Sequence, residues 1–458
     1  YKMNSKRLLT ATFCLFAVLG SVLAQDVSQA IKPSQWTLQS CIDYALKQNI
    51  TIRQNKVTAA STKIDVLEAK AARQPSLSFS TDQSLANRPF QQSASTVNGS
   101  NIVSTSSKTT YTGNYGLNAS MTLYNGGKIQ KNIQLQQLNS KIADLAVSSS
   151  EKTIEESITK IYVQILYAAE TIKTDQNALD LSETELSRAK QMFKAGSLNK
   201  ADVAQFESQV STDKYQLVSD QSTLANYKLQ LKQLLELDGD EEMNIAIPDL
   251  ATIDVLSPLP SKSQVFYAAV NNRPEIESKK LSIDASDLNI KIAKAAYLPT
   301  ISLTGGMSTY NVSGSDYGFM KQLKNAWSNT IGVNVSIPIL DKRATKSSIQ
   351  RAQLAKQTSE LELQDQQKTL YKTIEGFWLD ANSAQQQYVA AKEKVKSSQI
   401  SFDLIQEQFN LGLKNIVELL TQKTTLNTSQ QEMLQAKYIK KKKKKLLKNY
   451  HGDKITLK

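Results

Sequence analysis

The chain has 458 residues, 21% of them charged, and a formal net charge of +13, a length that suits two or three domains. That charge is not a nucleic-acid signal. Lys2, Lys6 and Arg7 supply +3, and residues 437–458, with ten Lys and one Asp, supply +9, so the body carries only the remaining +1; a nucleic-acid groove needs Lys and Arg interleaved with aromatics across a folded face. In chain order, the first 24 residues read as a secretory signal that starts at Met3. Lys6 and Arg7 are its positive region, Leu8 to Leu23 its short apolar run, and Val22-Leu23-Ala24 its cleavage site, with Gln25 as the mature start. A membrane anchor, the alternative, needs an apolar run of ~20 residues. Cys14 lies inside this signal and Cys41 is the one other cysteine, so no disulfide framework is expected.

A helix follows Trp36-Thr37-Leu38, and then come short strands. Leu77 and Phe79 alternate with Ser76, Ser78 and Ser80. After a polar loop at 86–110, Tyr115, Leu117, Ala119, Met121 and Leu123 alternate with polar residues. The period of two gives each strand one apolar face and one polar face. A half-buried soluble sheet gives the same pattern.

From Gly127 to Leu235 the period changes. Ile154, Ile158, Ile161, Ile165, Ala168 and Ile172 are spaced by four and three, and Leu179, Leu186 and Phe193 continue at sevens. Val203, Phe206, Val210, Leu217, Leu224, Tyr227, Leu231 and Leu234 carry the return arm. This predicts a coiled-coil hairpin that turns at Lys194-Ala195-Gly196-Ser197-Leu198. Lys128 to Lys194 contains no Pro or Gly, and a helix of that length spans roughly 100 Å.

The chain then repeats itself. Residues 238–262, with Pro248, Pro258 and Pro260, link the copies. Ala45-Leu46-Lys47-Gln48-Asn49 and Pro75 recur as Ala269-Val270-Asn271-Asn272-Arg273 and Pro299, at an offset of 224. Leu123-Tyr124-Asn125 and Gly196 recur as Ile339-Leu340-Asp341 and Gly412, at an offset of 216. Strands around Ile301 and Leu303 and from Ile331 to Ile339 flank a second polar loop at 308–326. A second seam follows: Leu370, Ile374, Phe377, Ala381, Ala384, Tyr388, Val395, Phe402 and Phe409. The expected domains are a signal at 1–24, a first repeat at 25–237, a linker at 238–262 and a second repeat at 263–458 with a basic tail. The strand pairs are expected at about 75–124 and 299–340, and the hairpins at about 127–235 and 342–447. Lys440 to Lys445 falls inside the closing helix and reads as a surface face.

Four strands cannot close a barrel, and eight, from two chains, would be filled by their own side chains; twelve, from three chains, leave a channel. The fold class expected is therefore mainly α with a membrane β-barrel: two repeats of long coiled-coil hairpins and four strands per chain, forming a trimeric twelve-stranded barrel continued by an α-helical barrel. No enzyme is expected. His451 is the single histidine, so no Ser-His or Cys-His pair can be built in the body, and neither a phosphate loop nor a metal-ligand cluster appears. No cofactor and no metal are expected.

The chain resembles the outer-membrane efflux proteins of the TolC type. The resemblance is carried by Trp36-Thr37-Leu38, Asn272-Arg273-Pro274-Glu275-Ile276, Tyr297-Leu298-Pro299-Thr300-Ile301, Ser336-Ile337-Pro338-Ile339-Leu340-Asp341 and the tip from Phe409 to Leu420. It implies a homotrimeric duct from periplasm to exterior in the outer membrane of a Gram-negative bacterium. Cargo would come from an inner-membrane pump of RND or ABC type through a periplasmic adaptor, with outer-membrane lipid around the barrel and no nucleic-acid partner. It also implies a belt built from the N-terminal helix, the linker and the C-terminus. At the tips, Gly196, Ser197, Leu198, Leu411, Gly412 and Leu413 would receive the adaptor. Asp202 and Lys414 match an acid and a base of the network that holds the family's gate shut. Glu418 matches the first constricting acid, and Thr421 stands where a second would be. Phe409 replaces a linking tyrosine, so a looser or differently held gate is expected. The plainer alternative makes Gly196 and Gly412 helix caps and Asp202 and Glu418 first-turn acids. The other function class is a secreted coiled-coil structural protein without a pore.

Overall fold

The computed structural model describes residues 33–453 apart from 91–93, 99–100, 106–107, 241 and 248–254, and the side chains of 94–98 and 101–105 are outside the description. The expected signal, and Pro248 of the linker, therefore lie outside the described residues. The chain divides into two units, Tyr1–Ser34 and Gln35–Lys458, and the second holds every element below.

Its order is α1 (Leu38–Gln48), α2 (Ile50–Ala71), β1 (Ser76–Asn87), β2 (Ala94–Asn98), β3 (Asn101–Thr105), β4 (Thr109–Asn125), α3 (Lys128–Lys194) and α4 (Lys200–Leu234). The second copy gives α5 (Lys262–Asn272), α6 (Pro274–Lys294), β5 (Thr300–Val312), α7 (Phe319–Asn325), β6 (Ser328–Ser336), α8 (Ala344–Asn410) and α9 (Ile416–His451). Two elements break the expected polar loops. Residues 86–110 contain the hairpin β2–β3, and 308–326 contain the end of β5 and helix α7.

The main sheet is antiparallel, in the order β1-β4-β5-β6, which leaves β1 and β6 as its edges. Its register puts apolar residues side by side across all four strands. Leu77 and Phe79 face Ala119 and Leu117, which face Gly305 and Met307. Leu303 and Ile301 face Val333 and Val335, and Gly305 faces Ile331. Cross-strand partners share a face, so the odd-numbered residues form one apolar surface. The even-numbered ones, among them Ser78, Asn118, Gly306 and Thr330, form a polar surface. Phe79, Ile331 and Val333 stay 66%, 82% and 63% exposed.

The two long helices are equal: α3 and α8 each have 67 residues. Each starts on a left-handed junction, Gly126-Gly127 in the first copy and Lys342-Arg343 in the second. Asn125 and Asp341 cap these starts by accepting from the backbone N–H of Ile129 and Thr345. α3 packs against α2, α4, α6 and α9, and α8 against α5, α6 and α9.

The segments before α1, between the copies and at the end of α9 all pack on the long helices. Trp36 pairs with Ile245 in a parallel bridge, and the Tyr162 hydroxyl donates to the carbonyl of Ala246 at 2.6 Å. In the second copy, the Arg273 guanidinium lies 3.6 Å above the Tyr450 ring and 2.5 Å from Glu156.

The expected seams hold near these segments and change toward the tips. Ile154, Ile158, Ile165, Ala168, Leu370, Ile374 and Ala381 are buried. Farther down α3 the expected seam residue Leu179 is still buried, but polar Asp175, Ser182 and Glu185 join it in the buried stripe with Ala189, and Phe193 is 45% exposed where a seam residue is expected. The cause is a second layer, because α9 packs over α3 there. Its counterpart Phe409 is buried against Phe206, with ring centroids 5.9 Å apart.

The lysine run is not a surface face. Lys440 is 1% exposed and Lys441 to Lys445 are half-buried. Lys440 donates to Gln385, Lys444 donates to Ser257, and Lys443 pairs with Asp380 at 2.7 Å. Long apolar stems let lysines fill a packed face while the head groups reach polar partners.

Candidate functional site

Each hairpin turns in the same way. The N–H of Ser197 donates to the carbonyl of Met192 and that of Gly196 to Phe193; in the second copy Leu413 donates to Gln408 and Gly412 to Phe409. These paired bonds, with φ of 78° at Gly196 and 73° at Gly412, make a Schellman ending whose pivot residue favours glycine. No atom lies within 4 Å of a Cβ built on either glycine, so the backbone there is open to approach. Leu411 and Leu413 are 75% and 71% exposed, whereas Leu198 packs into the apolar cluster of Phe206, Phe402 and Phe409. The expected docking residues thus divide into exposed leucines on the second tip and a half-buried one on the first.

The returning helices begin with matching capping boxes. Asn199 accepts from the N–H of Asp202 at 2.8 Å and Asp202 accepts from that of Asn199. Asn415 and Glu418 repeat the exchange at 2.9 and 3.2 Å. Both expected gate acids therefore also stabilise a helix start. Within one chain Lys414 Nζ lies 2.6 Å from Glu418 Oε1. That hydrogen bond from Lys414, followed by the Asn415 backbone, lowers the Glu418 carboxyl below the usual glutamate value. Thr421 donates to the carbonyl of Val417 one turn back.

A second polar site lies deeper and escaped the sequence reading. Lys423 on α9 is 1% exposed. Its Nζ sits 3.4 Å from Asp213 Oδ2 on α4 and 3.6 Å from Glu185 Oε2 on α3, and it donates to Ser182 and to the carbonyl of Ala178. Ser182 donates in turn to Asp213, and Gln406 of α8 donates to Glu185 at 3.4 Å. Four helices of both hairpins therefore share one buried charge cluster. Burial raises the Glu185 carboxyl, and Lys423 opposes that shift. Two turns from Ser182 along α3, burial and the neighbouring Asp220 carboxylate push Asp175 up to about 7. A signal for this cluster does exist. Asp213 occupies the seam register between Val210 and Leu217, and Lys423 occupies the one between Leu419 and Leu426.

The family model for outer membrane efflux proteins matches residues 41–236 and 265–452. The chain belongs to that family. The outer membrane protein TolC of Escherichia coli K12 is 24% identical over 312 residues, covering 67% of this chain and 62% of TolC. This chain thus spans less than two thirds of that relative. The outer membrane efflux protein BepC of Brucella suis is 21% identical over 405 residues, covering 88% of this chain and 82% of BepC. Among solved structures, CusC superposes with a TM-score of 0.77 at 19% identity, over 93% of this chain and 96% of that one. VceC of Vibrio cholerae gives 0.73 at 15% identity, over 92% and 97%. These likenesses fix the fold.

Proposed function

We propose that the chain is one third of a passive exit duct in the outer membrane of a Gram-negative bacterium. Three copies would join edge to edge, β6 of one to β1 of the next, into a twelve-stranded barrel. The observation that carries this reading is the sheet itself: one face is apolar across all four strands, stays exposed, and ends in two open edges. Open apolar edges invite pairing with another copy, and closure is the condition for a sheet to cross a bilayer. In the single chain, no described helix is long and apolar enough to cross a membrane.

The helices would continue the bore through the periplasm to the tips. There Leu411, Gly412 and Leu413, with Gly196, Ser197 and Leu198, would meet a periplasmic adaptor. An inner-membrane pump of RND or ABC type would supply the energy. Relatives named as efflux, toxin and drug export, and cation efflux proteins support this role. Glu418, held by Lys414, would place three carboxylates around the axis and favour cations at the entrance, with Asp202 and Thr421 beside it. The buried Lys423 cluster would keep the two hairpins of each chain together when the tip is shut.

Membrane extraction with mass measurement tests this reading. The protein should need detergent to leave the membrane and should then run as a trimer. A water-soluble monomer or dimer would instead fit a secreted coiled-coil protein.

A further inference from the structure

Helix α7 occupies an unusual place at the end of the sheet remote from the long helices. It joins β5 to β6, whereas α2, α3, α6 and α8 all attach at the opposite end. The hydroxyl of Thr309 donates to the carbonyl of Leu323 at 2.7 Å. Thr309 pairs with Tyr115 and lies on the odd-numbered, apolar face of the sheet. Helix α7 therefore lies against the apolar face, not over the polar one. Gln322 fixes it there: its side chain accepts from the N–H of Val312 at 2.8 Å and donates to the carbonyl of Tyr317 at 2.7 Å. Gln322 and the neighbouring Asn311 are both buried.

The other side of this element is open and of mixed character. Phe319, Met320 and Trp327 are 50%, 66% and 57% exposed. Lys321 and Lys324 are exposed beside them, and no acidic residue lies between Phe319 and Trp327. Trp327, two residues before Asn329, continues the odd-numbered face beyond Ile331, and its indole N–H donates to Asn329. The patch is thus the outer end of the apolar band. Large amphipathic aromatics at the rim of such a band sit at headgroup level, and lysines there meet anionic headgroups.

The geometry points to α7 with Trp327 as a docking surface for a phosphorylated lipid headgroup of the outer leaflet, with Lys321 and Lys324 on the phosphates and Phe319, Met320 and Trp327 at the acyl boundary. This rests on the sheet being a membrane barrel. Two observations select lipid as the occupant: the patch is continuous with the apolar face, and both charged residues of α7 itself are cationic, Lys321 lying over the Tyr317 ring at 4.4 Å and Lys324 exposed.

The test uses the full-length purified trimer in phosphatidylcholine vesicles containing either a phosphorylated disaccharide lipid or its dephosphorylated form. Lipids brominated near the headgroup should quench the fluorescence that the parent shows and Trp327→Phe lacks; the other two tryptophans, Trp36 and Trp378, lie in the helical part. Native mass spectrometry should find the phosphorylated lipid retained about tenfold less by the double variant Lys321→Glu, Lys324→Glu, with no change for the dephosphorylated lipid and with pore conductance intact. Equal retention by parent and variant, or a Trp327 shielded from brominated lipid by a neighbouring subunit, overturns the inference while pores still form. A folded trimer that forms no pores removes the barrel reading, and this inference with it.

Discussion

Lys414 Nζ and Glu418 Oε1 lie 2.6 Å apart, one helical turn from each other at the second tip. The pair and the capping bond from Asn415 lower the Glu418 carboxyl, so the acid stays ionised below the ordinary glutamate value of 4.5. If Glu418 sets cation preference at the entrance, that preference should persist as pH falls to about 4.5 and fade only below it. Lys414→Ala should move the fading upward in pH. Reversal potentials measured in a salt gradient from pH 7 to pH 3.5 check both.

Removing Lys423 should be costly. The substitution Lys423→Met leaves Asp213 and Glu185 buried without their cation, a change that costs about 3–5 kcal/mol in comparable sites. Both hairpins meet at this cluster, so the loss should appear as a lower melting temperature in detergent and as longer-lived open events in a bilayer. Adding Asp213→Asn and Glu185→Gln to the same chain should restore most of the melting temperature.

The Asp175 carboxyl gives a pH dependence of unusual sign. Its value in the folded chain is raised from 3.8 to about 7, so the folded state holds the proton more tightly than the unfolded one. Its contribution is full below pH 4 and is lost as pH rises through about 7. Asp175→Asn should therefore leave the melting temperature unchanged at pH 4 and raise it relative to the parent at pH 8. Parallel melts at the two values decide it.

The left-handed residues give two opposite expectations. Gly196→Ala and Gly412→Ala put a Cβ on backbone with positive φ and should each cost about 1 kcal/mol, although the surrounding space is open. Lys342 and Arg343, with φ of 50° and 70°, occupy the junction that the first copy fills with Gly126 and Gly127. Arg343→Gly should gain up to about 1 kcal/mol by removing that strain. Thermal melting of the three single variants checks the signs.

Much of this fold was legible because each copy states its period openly. The absence of Pro and Gly from Lys128 to Lys194 located α3 to the residue. The alternation at Leu77 and Phe79, and at Leu303 and Val333, located the strands that pair. Phe193 departs from its heptad because a heptad records which residues are apolar, not which helix arrives to cover them. The second hairpin buries Ser182, Glu185 and Asp213 instead. The run Lys440 to Lys445 departs from a solvated face for the same reason, since a lysine's burial depends on partners that the local sequence does not show. Gln385, Asp380 and Ser257 are far away in sequence. The tip residues were legible as caps from Gly196 and Gly412 alone. The Lys423 cluster needed Asp213 and Lys423 to be noticed as charges at apolar positions of two different helices.

Single-channel conductance of the detergent-purified protein in a planar bilayer, with Glu418→Ala beside the parent, tests the central claim most directly. The duct account predicts small cation-selective pores from a trimer, with weaker cation preference in the variant. A properly folded trimer that never inserts would contradict it.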